Sequence, residues 1–299
     1  MTAFNNLKVG TKILAAFVIA FLVMIGIGLF TLTQLNRVNA TIDDLTENLA
    51  VDRQIANDIA AEVLSARLAA TKYINDHQQV HLDAYQAAMV EYDKTLTQAD
   101  VEITNPKRVE ILSQIKSDVE QYRSTLSQIS TFIADRDNIQ AKVLDVEGPL
   151  ALDLLDKLST AAERTGSSET AHQVDQVRRA LLLMRLDAFK YLIEGDPAIV
   201  GKFSERYKEA QSALAALDGQ LTDETQRRLY ADATAAIDAY AAGFTGLQAD
   251  FDKQHVLQTE TLDVVGPRVA ESAAAIVASV GDDFAAESDL ATSEQTQTQ

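Results

Sequence analysis

The chain has 299 residues, of which 47% are hydrophobic and 6% aromatic, and its formal net charge is −18. This composition is typical of long packed helices and supplies a core for one large or two ordinary domains. The acidity argues against nucleic acid and anionic lipid as partners of most of the chain, and the lack of cysteine excludes disulfides, thiolate metal sites and cysteine nucleophiles.

The N-terminal region predicts a membrane anchor. An uncharged run of 20 residues, Ile13 to Leu32, lies between Lys12 and Arg37, and this length crosses about 30 Å of hydrocarbon. A cleaved secretory signal is the alternative, but it would have a shorter apolar stretch and a small-residue cleavage site. Lysines before the run and acids after it orient the N-terminus inward. We therefore expect residues 1–12 in the cytoplasm and a transmembrane helix at 13–33.

Helix breakers divide the rest of the chain into six predicted helices, without any strand pattern. The predicted helices end near Ile74, Val101, Arg164, Glu194, Leu217 and Ser288. The third and the sixth are about twice as long as the others, so each can run through two bundles. The sequence thus predicts an all-α fold in which six helices form two stacked four-helix bundles that share two long helices.

These lengths assign residues 34–288 to a bimodular helical domain outside the membrane. The proximal module takes residues 45–135 and 255–288, and the distal module takes residues 136–254. A polar tail, 289–299, follows and is expected to precede a second transmembrane helix.

Two motifs occur twice at one offset, which indicates a duplicated module. Arg-Leu-Ala-Ala-Thr-Lys-Tyr at 67–73 returns 118 residues later as Arg-Leu-Asp-Ala-Phe-Lys-Tyr at 185–191. At the same offset Leu-Asp-Val-Glu-Gly-Pro, 144–149, returns as Leu-Asp-Val-Val-Gly-Pro, 262–267. Antiparallel pairing of the helices sets each arginine of the first motif level with a glycine of the second. A proline within a helix opens space between packed helices.

Arginines beside such openings are candidate carboxylate ligands, because the guanidinium group offers a fork of donors. The predicted ligand-binding residues are Arg53, Arg67 and Thr261 in the proximal module and Arg136, Arg178 and Arg185 in the distal module. Arg136 and Thr261 continue the inward stripes of the two long helices. A structural alternative remains open, in which Arg67 pairs with Asp263 and Arg185 with Asp145.

The sequence gives little support for an enzyme. One Glu-x-x-His pair, Glu169 with His172, has the spacing of half a di-iron helix site, but no second pair occurs. We expect His172 to be a solvated residue of a first helical turn. The sequence therefore predicts no catalytic residues, no metal and no cofactor.

The N-terminal segment Phe4-Asn5-Asn6-Leu7-Lys8-Val9-Gly10-Thr11-Lys12, followed by the apolar run, resembles the start of a bacterial chemoreceptor. The six-helix external part resembles the helical bimodular sensor domain of methyl-accepting chemotaxis proteins and of some sensor histidine kinases. The resemblance implies an inner-membrane protein with a periplasmic, dimeric sensor domain that binds small organic acids. It also implies a continuation beyond Gln299 and cytoplasmic signalling partners bound through it.

Two rival interpretations stay open. The first is a membrane-anchored helical spacer that binds other proteins and no small molecule. The second is a helical enzyme with two metal ions.

Overall fold

The computed structural model describes residues 17–18, 20–33, 36, 48–221 and 223–297. Within these ranges the chain forms helices joined by short turns and contains no β-strand, which confirms the predicted all-α class. The helices are α1 (Ala20–Thr33), α2 (Ala50–Asp76), α3 (Gln79–Glu102), α4 (Pro106–Ile139), α5 (Asp145–Arg164), α6 (Ser168–Glu194), α7 (Pro197–Asp218), α8 (Glu224–Leu257) and α9 (Asp263–Gln297).

Local sequence explains where the helices of the second half begin and end. Ser167 caps α6 by accepting a hydrogen bond from the Thr170 amide, and Asp196 caps α7 by accepting one from Ala198. Gly195 ends α6 with φ of 62°, a left-handed conformation that glycine adopts without steric cost. The helix α9 continues to Gln297, into the predicted polar tail, because that segment contains neither glycine nor proline.

Both long helices contain a wide turn that the sequence did not predict. Residues Gln140–Leu144 between α4 and α5, and Gln258–Leu262 between α8 and α9, are π-helical. They are 118 residues apart, so both copies of the duplicated module have one. Each lies just before a proline, Pro149 or Pro267, whose ring and missing N–H disturb the preceding turn. The two predicted long helices are therefore each interrupted at this point.

The chain divides into two compact units. Unit 1 comprises residues 1–69, 80–119 and 266–299, and unit 2 comprises residues 70–79 and 120–265. These divisions differ from the predicted boundaries at 135/136 and 254/255. Contacts such as the hydrogen bond of 2.9 Å between the Tyr73 and Ser130 hydroxyls bring the middle of α4 into unit 2.

Apolar stripes along the long helices form the cores. Buried stripe residues are Leu112, Ile115 and Val119 in unit 1, and Tyr122, Leu126, Ile129, Ile133, Ile237, Tyr240, Phe244 and Leu247 in unit 2. Aromatic rings cluster in unit 2, where Phe203 stacks on Phe244 with centroids 3.8 Å apart. The tyrosines that recur at the 118-residue offset, Tyr73 with Tyr191 and Tyr122 with Tyr240, are buried in the cores.

The described part of the predicted membrane segment is helical, and its side chains are exposed. Residues 1–16, 19 and 37–47 lie outside the described residues. By length and composition alone, one helical stretch among the described residues could cross a membrane, Glu224–Asp289. That stretch contributes core residues such as Ile237 and Phe244, whereas α1 is apolar but shorter.

Candidate ligand-binding site

The repeated motifs face each other within each unit, as the antiparallel register predicts. In unit 1 a Cβ atom on Gly266 would lie 2.8 Å from Cδ of Arg67. In unit 2 a Cβ atom on Gly148 would lie 2.9 Å from Nε of Arg185 and 3.0 Å from the Tyr240 ring. Each glycine therefore leaves room for the arginine side chain, which a Cβ atom at that position would displace.

The two repeated arginines are half-buried along these glycines. The ion pairs of the described residues do not include Arg185 with Asp145, so this part of the structural alternative is not observed there. Burial raises the pKa of the neighbouring Tyr240 hydroxyl to about 12, so this tyrosine is neutral near pH 7. Arg67 takes part in at least one further polar or electrostatic interaction.

Arg178 already has acidic partners. Its Nη2 lies 2.7 Å from Oδ1 of Asp156, and its Nη1 lies 2.9 Å from Oδ1 of Asp175. The Arg178 side chain is 31% exposed, so both are surface ion pairs that contribute little to stability. The pair with Asp156 joins α6 to α5, and the pair with Asp175 lies within α6. A carboxylate ligand would have to compete with both aspartates.

Arg53 lies beside an open groove in unit 1. The groove has a volume of about 450 Å³ between α2 and α9, with Val277, Val280 and Phe284 on its apolar side and Gln54 as a polar neighbour. Among the described residues, no acidic side chain lies within ion-pair distance of Arg53. Within the described residues, the groove therefore combines a cation that has no acidic partner with an apolar wall.

Thr261, the third predicted proximal residue, is placed differently. It lies in the π-helical segment that precedes α9 and belongs to unit 2, whereas Arg53 and Arg67 belong to unit 1. Only two of the three predicted proximal residues therefore share a compact unit.

Arg136 is the most buried of the predicted site residues, with 2% of its surface exposed. It projects from the last turn of α4 into unit 2. Its guanidinium carbon lies 3.8 Å from the centroid of the Phe251 ring, in cation–π contact. Its Nη2 lies 3.4 Å from Nε2 of His77. Because arginine can only donate, Nε2 of His77 is the acceptor, and the Nδ1 proton faces Oδ1 of Asp137 at 3.5 Å.

The charge of Arg136 is not neutralised locally. No carboxylate of the described residues forms an ion pair with it, and its Nη1 is buried without a hydrogen-bond partner. Burial lowers the pKa of Arg136, while the more distant carboxylates of Asp137 and Asp250 act in the opposite direction. A buried cation with an unused donor is unfavourable in the fold.

Gln254 stands at the position of Arg136 in the other repeat, 118 residues later. It is 8% exposed, and its Oε1 is buried without a partner. Each of these two residues lies one helical turn before a π-helical segment. The sequence predicted that Arg136 faces inward, but the missing partners of Arg136 and Gln254 are evident only in the structure.

Sequence reasoning missed a set of buried ion pairs in unit 1. Nε of Arg108 lies 2.8 Å from Oδ2 of Asp52, and its Nη1 lies 2.6 Å from Oδ2 of Asp283. Arg268 binds the buried Asp118 with two donors. The signal was present, since Arg108 lies four residues before Leu112 on the apolar stripe of α4. These pairs are compensated and tie helices together.

The comparisons with known proteins identify one family. The sequence pattern of the four helix bundle sensory module for signal transduction matches residues 6–158, about half of the chain. No curated protein matches the chain significantly. The predicted relationship to the helical sensor domains of methyl-accepting chemotaxis proteins is thereby confirmed. The chain belongs to the family of four helix bundle sensory modules for signal transduction.

Proposed function

We propose that this sensory module is the periplasmic, dimeric sensor domain of a transmembrane chemoreceptor and that it binds small organic acids between its helices. Membership of a sensory family, rather than an enzymatic one, supports the sensor role. The exposed apolar helix α1 and the lysines at 8 and 12 support anchoring in a bacterial inner membrane with the N-terminus in the cytoplasm. A histidine kinase with the same sensor domain is the alternative output.

The observation that carries the proposal is the uncompensated Arg136. Among the described residues, Nη1 of Arg136 has neither a hydrogen-bond acceptor nor a neutralising charge nearby. A carboxylate ligand would supply both. Phe251 beside the guanidinium would cover the apolar part of a short acid. Arg185 and Arg178 in the same unit, and Arg53 and Arg67 in unit 1, remain proposed contacts for ligands of the two modules.

The position of Arg136 also suggests how binding produces a signal. It lies one turn before the π-helical segment Gln140–Leu144, and a π-helical turn is a less favourable arrangement than α-helix. A ligand that holds Arg136 would favour one arrangement of this turn over the other. Such a signal requires only that the ligand bind the two arrangements unequally.

The test is a thermal-shift measurement on the full chain in detergent micelles against a panel of short carboxylates. We expect at least one acid to raise the melting temperature of the unmodified chain and to lose this effect in Arg136→Met. Arg206→Met is the matched control, because it removes an arginine of the same unit that pairs with Glu209 at the surface and is not a proposed ligand contact.

If Arg136→Met keeps the full ligand-induced shift, Arg136 is not the anchor. If no carboxylate stabilises the unmodified chain, the proposal fails and the helical spacer becomes the better interpretation.

A further inference from the structure

A second groove of unit 2 has no part in the proposed carboxylate site. It lies between α7 and α8 and has a volume of about 460 Å³, which is within the range of clefts that hold small molecules. None of the arginine and threonine residues predicted to bind a ligand lines this groove. Any molecule that occupies it would therefore be recognised by other side chains.

The apolar side of the groove is aromatic. Phe203 of α7 and Phe244 of α8 line it, with their rings stacked at a centroid distance of 3.8 Å. Val200 and Ala241 extend this apolar surface. Aromatic rings attract cations as well as apolar groups. The surface therefore suits a ligand with a hydrophobic part and accepts a positive charge beside it.

Asp238 of α8 supplies a negative charge that is held in place at this groove. Its Oδ1 accepts a hydrogen bond of 2.7 Å from the Tyr207 hydroxyl of α7, and the Gln211 side chain hydrogen-bonds to the same hydroxyl. Burial and the bond to Asp238 raise the pKa of the Tyr207 hydroxyl, so it remains a donor near pH 7. Among the described residues, Oδ2 of Asp238 has no partner and can accept from a ligand.

Lys208 is the other charged residue that lines the groove. Its side chain is exposed and has no hydrogen bond or ion pair within the described part of the chain, so its flexible stem can carry the ammonium group into solvent. The whole chain has a formal net charge of −18, and such a field raises the local concentration of cations. A held carboxylate, a flexible lysine and an acidic chain together favour a positively charged ligand.

We propose that the groove between α7 and α8 binds an organic ammonium ion that carries an aromatic or other apolar substituent. The ammonium group donates to Oδ2 of Asp238, and the substituent covers Phe203 and Phe244. This site is separate from the carboxylate site proposed at Arg136 and has the opposite charge preference. Because exposed ion pairs add little to affinity, the apolar substituent supplies most of it.

The experiment compares two ligands of similar shape and opposite charge. The affinities of 2-phenylethylammonium and 3-phenylpropionate are measured by isothermal titration calorimetry at pH 7, with the full chain in micelles of a non-ionic detergent. Both are measured for the unmodified chain and for Arg136→Met, which removes the proposed carboxylate anchor. We expect the ammonium ion to bind both chains equally and to bind Arg136→Met at least tenfold more tightly than the carboxylate does. Methylammonium, which lacks the apolar substituent, should bind at least tenfold more weakly than 2-phenylethylammonium.

Two substitutions in the groove, made in the Arg136→Met chain, should change this preference in opposite directions. Asp238→Asn keeps an acceptor for Tyr207 but leaves Lys208 as the charged residue of the groove, so the tenfold preference should fall below about twofold. Lys208→Met removes a repelling cation and should raise the affinity for 2-phenylethylammonium about twofold to fivefold. Asp232→Asn, at an exposed position of α8 outside the groove, is the control that leaves both affinities unchanged.

The outcomes concern the ammonium site and leave the carboxylate site to its own thermal-shift test. If 2-phenylethylammonium does not bind the unmodified chain, or if 3-phenylpropionate binds Arg136→Met as tightly, the inference is wrong. If Asp238→Asn keeps the tenfold preference, Asp238 does not recognise the cation and the groove is not the site. If Arg136→Met loses ammonium binding, the two ligands share one site and the inference also falls.

Discussion

Replacing Arg136 by methionine should make the ligand-free chain more stable. The substitution keeps a long unbranched side chain in the core and removes a charge that is 98% buried, since 2% of the residue is exposed. Most substitutions at buried positions lower the free energy of unfolding. An increase for Arg136→Met would therefore be unusual and would show that the buried charge destabilises the ligand-free chain.

The magnitude follows from the contacts of the guanidinium. Burying an ion costs several kcal/mol even after relaxation of the protein. The cation–π contact with Phe251 returns about 2 kcal/mol, and the hydrogen bond of 3.4 Å to His77 returns about 1 kcal/mol. Methionine buries a comparable apolar stem without the desolvation cost. We expect a gain of about 1–3 kcal/mol, or roughly 3–10 °C in melting temperature.

The assay is thermal unfolding followed by circular dichroism at neutral pH without added carboxylate. Arg178→Met is the comparison, because loss of its two surface ion pairs should lower stability by about 1 kcal/mol or less. A melting temperature of Arg136→Met below that of the unmodified chain would refute the reasoning, because Arg136 would then be stabilised by its surroundings without a ligand.

Two further predictions concern the helix contacts. Gly148→Ala should destabilise by about 1–3 kcal/mol, because its Cβ would lie 2.9 Å from Nε of Arg185 and 3.0 Å from the Tyr240 ring. Arg185→Ala should remove the arginine part of this penalty in the double variant and leave the contact with Tyr240. The control Gly201→Ala, at a helical position with open space around it, should instead stabilise by up to about 1 kcal/mol. The free energies of unfolding of all these variants are measured by chemical denaturation. The hydrogen bonds from Arg268 lower the pKa of Asp118 below 3.8, so their stabilisation is present above that pH and lost as pH falls through the folded-state pKa. Asp118→Asn should therefore cost about 1–3 kcal/mol at pH 7 and progressively less as the pH falls through the folded-state pKa, and a cost that stays constant as the solution is acidified would contradict this linkage.

The helices and their register could be predicted because local chemistry determines both. Glycine, proline and asparagine mark helix ends, and the heptad stripes identify the buried faces. The offset of 118 residues, together with antiparallel pairing, was enough to set Arg67 against Gly266 and Arg185 against Gly148. Nothing beyond counting along helices was needed for that contact.

The rest depends on information that local patterns lack. A π-helical turn has no composition of its own, so Gln140–Leu144 looks like ordinary α-helix in sequence. The inward direction of Arg136 could be predicted, but its lack of an acidic partner depends on every neighbour from α2, α6 and α8. Arg178 is also an arginine on the edge of an apolar helix stripe, as Arg136 is, yet Asp156 and Asp175 neutralise its charge.

The π-helical segments determine the rotation of the second part of each long helix relative to the first part. An α-helix turns about 100° and rises about 1.5 Å per residue. Because a π-helical turn closes its hydrogen bond one residue later, it contains one residue more than an α-helical turn. If Gln140–Leu144 became α-helical at constant chain length, α5 would rotate by about 100° about its axis and advance by about 1.5 Å relative to α4. Gly148 would then turn away from Arg185. A local change from π-helical to α-helical hydrogen bonding would thus rotate and translate the helix that follows it.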